Sequence, residues 1–362
     1  MPELSDLLHR SVDDVDVPRP HVHDITAQGR ALRTRRRLGA AVAAAVVLGA
    51  VGGGFALADS FGGDRRSEIA NPTTDTPTPY DEWSAWSLDD DVTIGGRPVR
   101  LPGQTVNLAQ TSAGVVAKTF PGDDDPARYV LVRPDGSTRA LALPASVPTV
   151  DGDIAAPRIA WVTSGRDVLV LHVWDVEKDE ELARVDVPSP GTTPPSAGEI
   201  LEPALLDGEA AYFQTHGGVS RRVLWATGEV RTLPRPVASV RSGVATGGDS
   251  SGSTYVVMDA ATGRVRRAVQ GDVIRLTVSP DGRWLYGSTS DGSFVEPVDG
   301  GKRVPLADLS VMASWSPGGA VVGQKGTEAT MMRCTTDGRC TEKVVGEGGE
   351  VSVLSADFLN AG

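Results

Sequence analysis

Cysteine is nearly absent from this chain. Two residues, Cys334 and Cys340, among 362 exclude a disulfide-built scaffold and any cysteine-rich metal site. Lysine is almost as scarce: positions 118, 178, 302, 325 and 343 are the five lysines among 35 basic residues. Net positive charge is lacking too. The formal charge is −12, and residues 1–37 carry seven Arg against six acids, so the remainder is −13. An acidic body of that size repels nucleic acid and other polyanions, which excludes them as partners. Catalytic signatures are missing as well. Ser220 is not in a G-x-S-x-G. Gly248-Asp249-Ser250-Ser251-Gly252 has the letters of one but falls among short β runs, without the helix that motif needs after its Ser. There is no H-E-x-x-H and no glycine-rich phosphate loop. In Asp281-Gly282 the two residues adjoin, whereas a sialidase-type Asp box needs one residue between them. No catalytic residue, cofactor or metal is assigned from the sequence.

Long hydrophobic runs are lacking except for one, Leu38 to Ala58, which holds no charged residue. As a helix it reaches roughly 31 Å, enough for a hydrocarbon core. Arg33, Arg35, Arg36 and Arg37 stand directly before it, whereas Arg65 and Arg66 after it are mixed with acids. Arginine resists translocation, so the N-terminal arm is expected in the cytoplasm and the body outside the cell. The competing reading is an export signal cleaved after Ala58, since Ala56-Leu57-Ala58 has the small-x-small pattern. A long arm with six acids is unlike a signal peptide. Gly49 and Gly53 also form a G-x-x-x-G, a helix-pairing spacing that Ala- and Gly-rich runs produce by chance. The expected organisation is a cytoplasmic arm (1–37), a transmembrane helix (38–58), a Pro- and Thr-rich tether (59–80) and an exported domain (81–362).

The arm begins ELSDLLHRSVDDVDVPRP, followed by the basic run and the span. This arrangement is similar to the cytosolic stubs of many actinobacterial one-pass membrane proteins. The scarcity of Lys beside abundant Arg, Ala, Val and Gly fits such a GC-rich source. Some of those proteins are linked with extracytoplasmic-function sigma factors, so the resemblance implies a zinc-independent sigma-factor partner as the alternative to an arm that only sets topology. The zinc-type pattern is not met, because His9, His21 and His23 have no accompanying cysteine pair.

From about Trp83 onward the chain reads as short β runs with turn chemistry. One signature recurs: a small turn with Gly, then an alternating strand that carries a basic residue. It appears at Gly95 to Leu101, Asp135 to Leu141, Thr227 to Leu233, Thr262 to Ala268, Asp299 to Val304 and Asp337 to Val344, with a degenerate copy, lacking the Gly, at Lys178 to Val185. The spacing of about 35 to 49 residues is that of four-stranded propeller blades, with the hairpin joining third and fourth strands. Ser279-Pro280-Asp281-Gly282 and Ser316-Pro317-Gly318-Gly319 resemble the turn between first and second strands in WD40-like and TolB-like propellers. Arg158 to Val162 and Val168 to Val173 are expected to follow the same plan around a Ser164-Gly165 turn. The resemblance implies an all-β, seven-bladed β-propeller. Glu350 to Leu359 is expected to complete the blade begun by the first hairpin. Six blades with that hairpin loose is the alternative.

The expected role is a binding, sensing or scaffold module for an unidentified protein or cell-envelope ligand. A hydrolase of the lactonase type, with Asp151, Asp153 and Asp207 as candidate ion ligands, is the alternative; each also suits a solvated turn. Trp83 and Trp86 form a candidate exposed ligand platform. His172 lies in an apolar strand and suits a hydrogen-bonding core role, and His216 lies beside a turn. Cys334 and Cys340 flank an Asp-Gly turn and are placed to bond across a hairpin in an oxidising compartment.

Overall fold

The computed structural model describes residues 78–345, apart from 89–90, 123–124, 148, 165–167, 189–203, 216–217, 249–253, 311–312 and 327–329. The cytoplasmic arm, Leu38 to Ala58, Arg33, Arg35, Arg36 and Arg37, most of the tether, His216 and Glu350 to Leu359 lie outside the described residues. Among the described residues no helix is long and apolar enough to cross a membrane.

A one-turn helix, α1 (Pro79–Trp83), leads into seven antiparallel sheets. The first holds β1 (Ala85–Leu88), β2 (Asp91–Ile94) and β3 (Arg97–Arg100). The second holds β4 (Gln104–Thr111), β5 (Gly114–Phe120), β6 (Arg128–Val132) and β7 (Thr138–Ala140). The third holds β8 (Asp151–Asp153), β9 (Arg158–Ser164), β10 (Val168–Asp175) and β11 (Glu180–Pro188). The fourth is β12 (Leu205–Asp207), β13 (Ala210–Gln214), β14 (Ser220–Leu224) and β15 (Glu229–Thr232). The fifth is β16 (Ser239–Arg241), β17 (Val244–Gly248), β18 (Tyr255–Asp259) and β19 (Val265–Ala268). The sixth is β20 (Val273–Val278), β21 (Trp284–Thr289), β22 (Gly292–Pro297) and β23 (Val304–Leu306), and the seventh β24 (Ser314–Trp315), β25 (Val321–Gln324), β26 (Thr330–Cys334) and β27 (Cys340–Val344).

Within each sheet the strands lie side by side in chain order. The first strands β4, β8, β12, β16 and β20 neighbour one another in succession, which sets them around a common axis. The result is a seven-bladed β-propeller. Six of the seven recurring hairpins join third and fourth strands as expected, and Gly95-Gly96 joins β2 and β3, the last two of the three strands described in the first sheet. That hairpin is not loose, since Val92 and Ile94 are fully buried.

Alternation explains the ring. Successive residues of a strand face opposite sides, so each sheet supplies two apolar faces and each border between sheets has its own core. Ile159 packs with Ala109 and Leu131 of the second sheet, while its neighbour Ala160 packs with Leu206 and Phe213 of the fourth. The border between the seventh and first sheets is built from Trp86, Val322 and Met331, with Trp83 and Val345 against them. The recurring arginine has a matching structural task at three borders. Arg97 donates to the Asp135 carbonyl at 3.1 Å, Arg139 to the Glu177 carbonyl at 2.8 Å, and Arg267 to the Val298 carbonyl at 2.7 Å. In each case an outer strand holds the hairpin of the next blade.

Two sequence expectations need correction. Arg158 to Val173 is not a first and second strand but the second and third, β9 and β10. The first strand is Asp151-Gly152-Asp153, whose two acids and single glycine give no apolar alternation. Tyr80, the last residue of the expected tether, is buried in the folded body. Thr78 caps α1 through a capping box with Asp81, and the Tyr80 hydroxyl donates to the Thr111 and Gly114 carbonyls at 3.1 and 3.0 Å.

Candidate functional site

The turns that follow the first strands lie on one face of the ring, and at its axis charged side chains from three blades meet. The approach begins at Gly152. A Cβ there would stand 1.9 Å from the Gln110 carbonyl oxygen, so glycine lets β8 press against β4. On either side of it Asp151 and Asp153 are buried on the strand, not solvated in a turn.

Asp151 Oδ2 accepts the Leu206 N–H at 3.2 Å and lies 3.9 Å from Arg241 Nη1. Arg241 is itself buried, and the same Nη1 donates to the Leu206 and Val240 carbonyls at 3.2 and 2.8 Å. Asp207 grips the neighbouring turn: its two oxygens accept the Ser242 and Gly243 N–H groups at 2.8 and 2.7 Å. Ser242 has a φ of 50°, a strained left-handed conformation for a side-chain-bearing residue, and these bonds hold it there. Its hydroxyl then donates to the Pro280 carbonyl at 2.8 Å, in the Ser279-Pro280-Asp281-Gly282 turn. Turns of the fourth, fifth and sixth blades are thus joined in a chain.

Asp153 differs from its neighbours. Its Oδ1 accepts the Ala155 N–H at 2.9 Å, while its buried Oδ2 has no hydrogen-bond partner. Burial pushes the carboxyl's pKa above the ordinary range. The Ala155 N–H and the positive charges of Arg241 and Arg158 oppose that shift, and the negative charge of Asp207 adds to it. Arg158 lies with its guanidinium carbon 5.1 Å from the Trp225 ring centroid and donates to the Gly208 carbonyl at 3.5 Å; Trp225 Nε1 donates to the same carbonyl at 3.1 Å. Among the described residues no group of three or more His, Cys, Asp or Glu side chains is arranged to hold a metal ion. Carboxylates and guanidiniums alternate there instead. Arg158, Arg241 and Ser242 were not legible as site residues, and the only local signal was the Ser-Gly turn at Ser242-Gly243.

The other sequence candidates lie elsewhere. Trp83 and Trp86 meet edge to face with centroids 6.4 Å apart, and Lys343 Nζ is 5.8 and 5.7 Å from the two rings. Trp86 is only 1% exposed, because it fills the border between the first and last sheets, so the pair is not an exposed platform. Cys334 and Cys340 face each other across β26 and β27 and form a disulfide. His172 bonds within its own sheet: Nδ1 is 2.6 Å from Glu181 Oε1, Nε2 is 3.0 Å from Thr163 Oγ1, and the ring stacks on Trp161 at 4.9 Å. Ser220 is buried on β14.

No protein-family model and no curated protein matches the chain. Solved structures do resemble it in shape. A computationally designed protein, Ika8, aligns over 72% of this chain and 82% of its own, with 14% identity and a TM-score of 0.47. TolB from Acinetobacter baumannii aligns over 74% of this chain and 64% of its own, with 16% identity and a TM-score of 0.42. A chain of a mitotic checkpoint complex aligns over 80% and 88%, with 12% identity and a TM-score of 0.47. The propeller assignment and the blade count rest on the seven sheets themselves.

Proposed function

We propose that this protein is a membrane-anchored, extracytoplasmic β-propeller that acts as a non-catalytic binding, sensing or scaffold module. The sequence supports the anchor, with Leu38 to Ala58 as the span and Arg33, Arg35, Arg36 and Arg37 holding the arm in the cytoplasm. The observation that carries the binding role is the chain from Asp207 through Ser242 to Pro280. It fixes three consecutive turns on one face without occupying their outward surfaces, as recognition without an induced change requires. Glu209 and Arg283, in the turns of the fourth and sixth blades, are exposed on that face, and Asp291 is exposed on the opposite one.

The test uses the full chain in its own cells, with a C-terminal epitope and a photocrosslinking residue at position 209, 283 or 291 in turn. The epitope is expected to be reached by antibody on intact cells. Discrete crosslinked products are expected from positions 209 and 283, and none from 291. An epitope reached only after permeabilisation would overturn the topology, and equal crosslinking from both faces would overturn the turn-face reading.

A further inference from the structure

The axial end of β8 presents a carboxyl group with one oxygen spent and one not. Asp153 is 4% exposed, its Oδ1 is engaged by Ala155, and its Oδ2 has no partner. Leaving such a group unsatisfied is costly, so the fold keeps it at the expense of stability. Folds that carry a cost of this kind tend to carry it at functional sites.

We propose that Asp153 Oδ2 is the docking point for a primary ammonium group that enters the axial mouth from the turn face. The proposal rests on the binding-module reading and names the ligand chemistry of that face. An ionised carboxylate oxygen only accepts, so the ligand must bring a donor. Asp151, Asp153 and Asp207 against Arg158 and Arg241 leave one net negative charge, which matches a single positive charge. The nearby cations do not supply it. Arg241 Nη1 is committed to the Leu206 and Val240 carbonyls, and Arg158 lies against Trp225 and Gly208.

The site discriminates among cations by how many acceptors it offers. Both oxygens of Asp207 are engaged by backbone N–H groups, and Asp151 Oδ2 by that of Leu206. A divalent metal ion needs several open oxygens. A guanidinium fork prefers two parallel acceptors, whereas an ammonium is a compact point charge on a slender stem. Such a stem also suits an oxygen this deeply recessed. A lysine side chain of a partner protein and a free alkyl amine share that chemistry.

The experiment is isothermal titration of the detergent-solubilised full chain with cadaverine, with a short Lys-containing peptide, and with the same peptide acetylated on the lysine Nζ. Calcium alone is a further arm. The expected result is binding of the peptide, the diamine or both. Acetylation should abolish peptide binding, Asp153→Asn should weaken the binding observed at least tenfold, and Asp291→Asn, on the opposite face, should leave it unchanged. A stronger response to the peptide assigns the ligand to a protein partner, and one to cadaverine alone assigns it to a free amine. Equal affinity in the wild type and Asp153→Asn would overturn the proposal, as would calcium binding in preference to either amine. No amine binding with turn-face crosslinks intact would sink this proposal and leave the binding-module reading standing. Thermal unfolding of the Asp153→Asn variant confirms that it is folded when titrated.

Discussion

Arg333 Nε donates to the Glu82 carbonyl at 3.1 Å, joining residues 251 positions apart in the sequence. Around this bond the last sheet meets the first. The Gly318 N–H donates to the Asp81 carbonyl at 2.8 Å, and Trp86 is buried with Val322 and Met331. Among the described residues this apolar cluster is centred on one large side chain, Trp86. Trp86→Ala is expected to cost about 3–5 kcal/mol, in the range for truncating a buried Trp. Urea unfolding of the full chain measures it, and a loss under about 1 kcal/mol would show that the ring is not held at this border.

How far the sequence discloses this fold depends on which strands have chemically marked turns. Six of the seven hairpins are legible because Gly95-Gly96, Asp135-Gly136 and their counterparts take positive φ at glycine, the third uses Asp179 at a φ of 58°, and their regular recurrence implies a repeating unit. The first strands are harder to see. Some are short, and Asp151-Gly152-Asp153 has no apolar residue, because it is shaped by the approach to Gln110 and by charge at the axis. Taking Arg158 to Val173 as a first and second strand follows from that gap. The site is hidden for the same reason. Arg241 lies 88 and 90 residues from Asp153 and Asp151 in sequence, and only the packing of the third, fourth and fifth blades around the axis brings them together.

Gly152 makes that closure sensitive to a single methyl group. Since a Cβ would fall 1.9 Å from a main-chain oxygen, no side-chain rotation relieves Gly152→Ala. The strands β4 and β8 must separate, at a cost of about 1–3 kcal/mol or more. The melting temperature is expected to fall, and the Asp151–Leu206 hydrogen bond to loosen with it. Gly208→Ala is the contrasting variant: its Cβ meets nothing within 4 Å, but its φ of 60° imposes a small strain. A Gly152→Ala protein that melts with the wild type would show that β8 does not approach β4 so closely.

The disulfide is expected to matter modestly. Cys334 and Cys340 are separated by six positions in sequence, and closing so short a loop removes little freedom from the unfolded chain. Replacing both with Ala is expected to cost about 2 kcal/mol, to leave the far-ultraviolet spectrum of a β protein, and to preserve Trp86 burial. Collapse of the whole fold in the double variant would mean that the hairpin holds more than its own blade.

Asp153 sets an opposite sign for the effect of pH. Burial raises its pKa in the folded state above the ordinary value near 3.9 in the unfolded chain. The folded protein therefore binds this proton more readily. Its contribution to stability is fully present below the unfolded value and is lost as pH rises through the folded one. At neutral pH the ionised carboxylate works against the fold, so Asp153→Asn is expected to melt higher than the wild type at pH 7. The gap should shrink toward nothing below about pH 4, where the wild-type carboxyl is protonated as well. Melting curves of the two proteins across this range check it, and an Asn variant less stable at pH 7 than at pH 4, relative to the wild type, would reverse the sign. If the higher-melting variant is also the one that loses amine binding, a single oxygen accounts for both the stability given up and the recognition it serves.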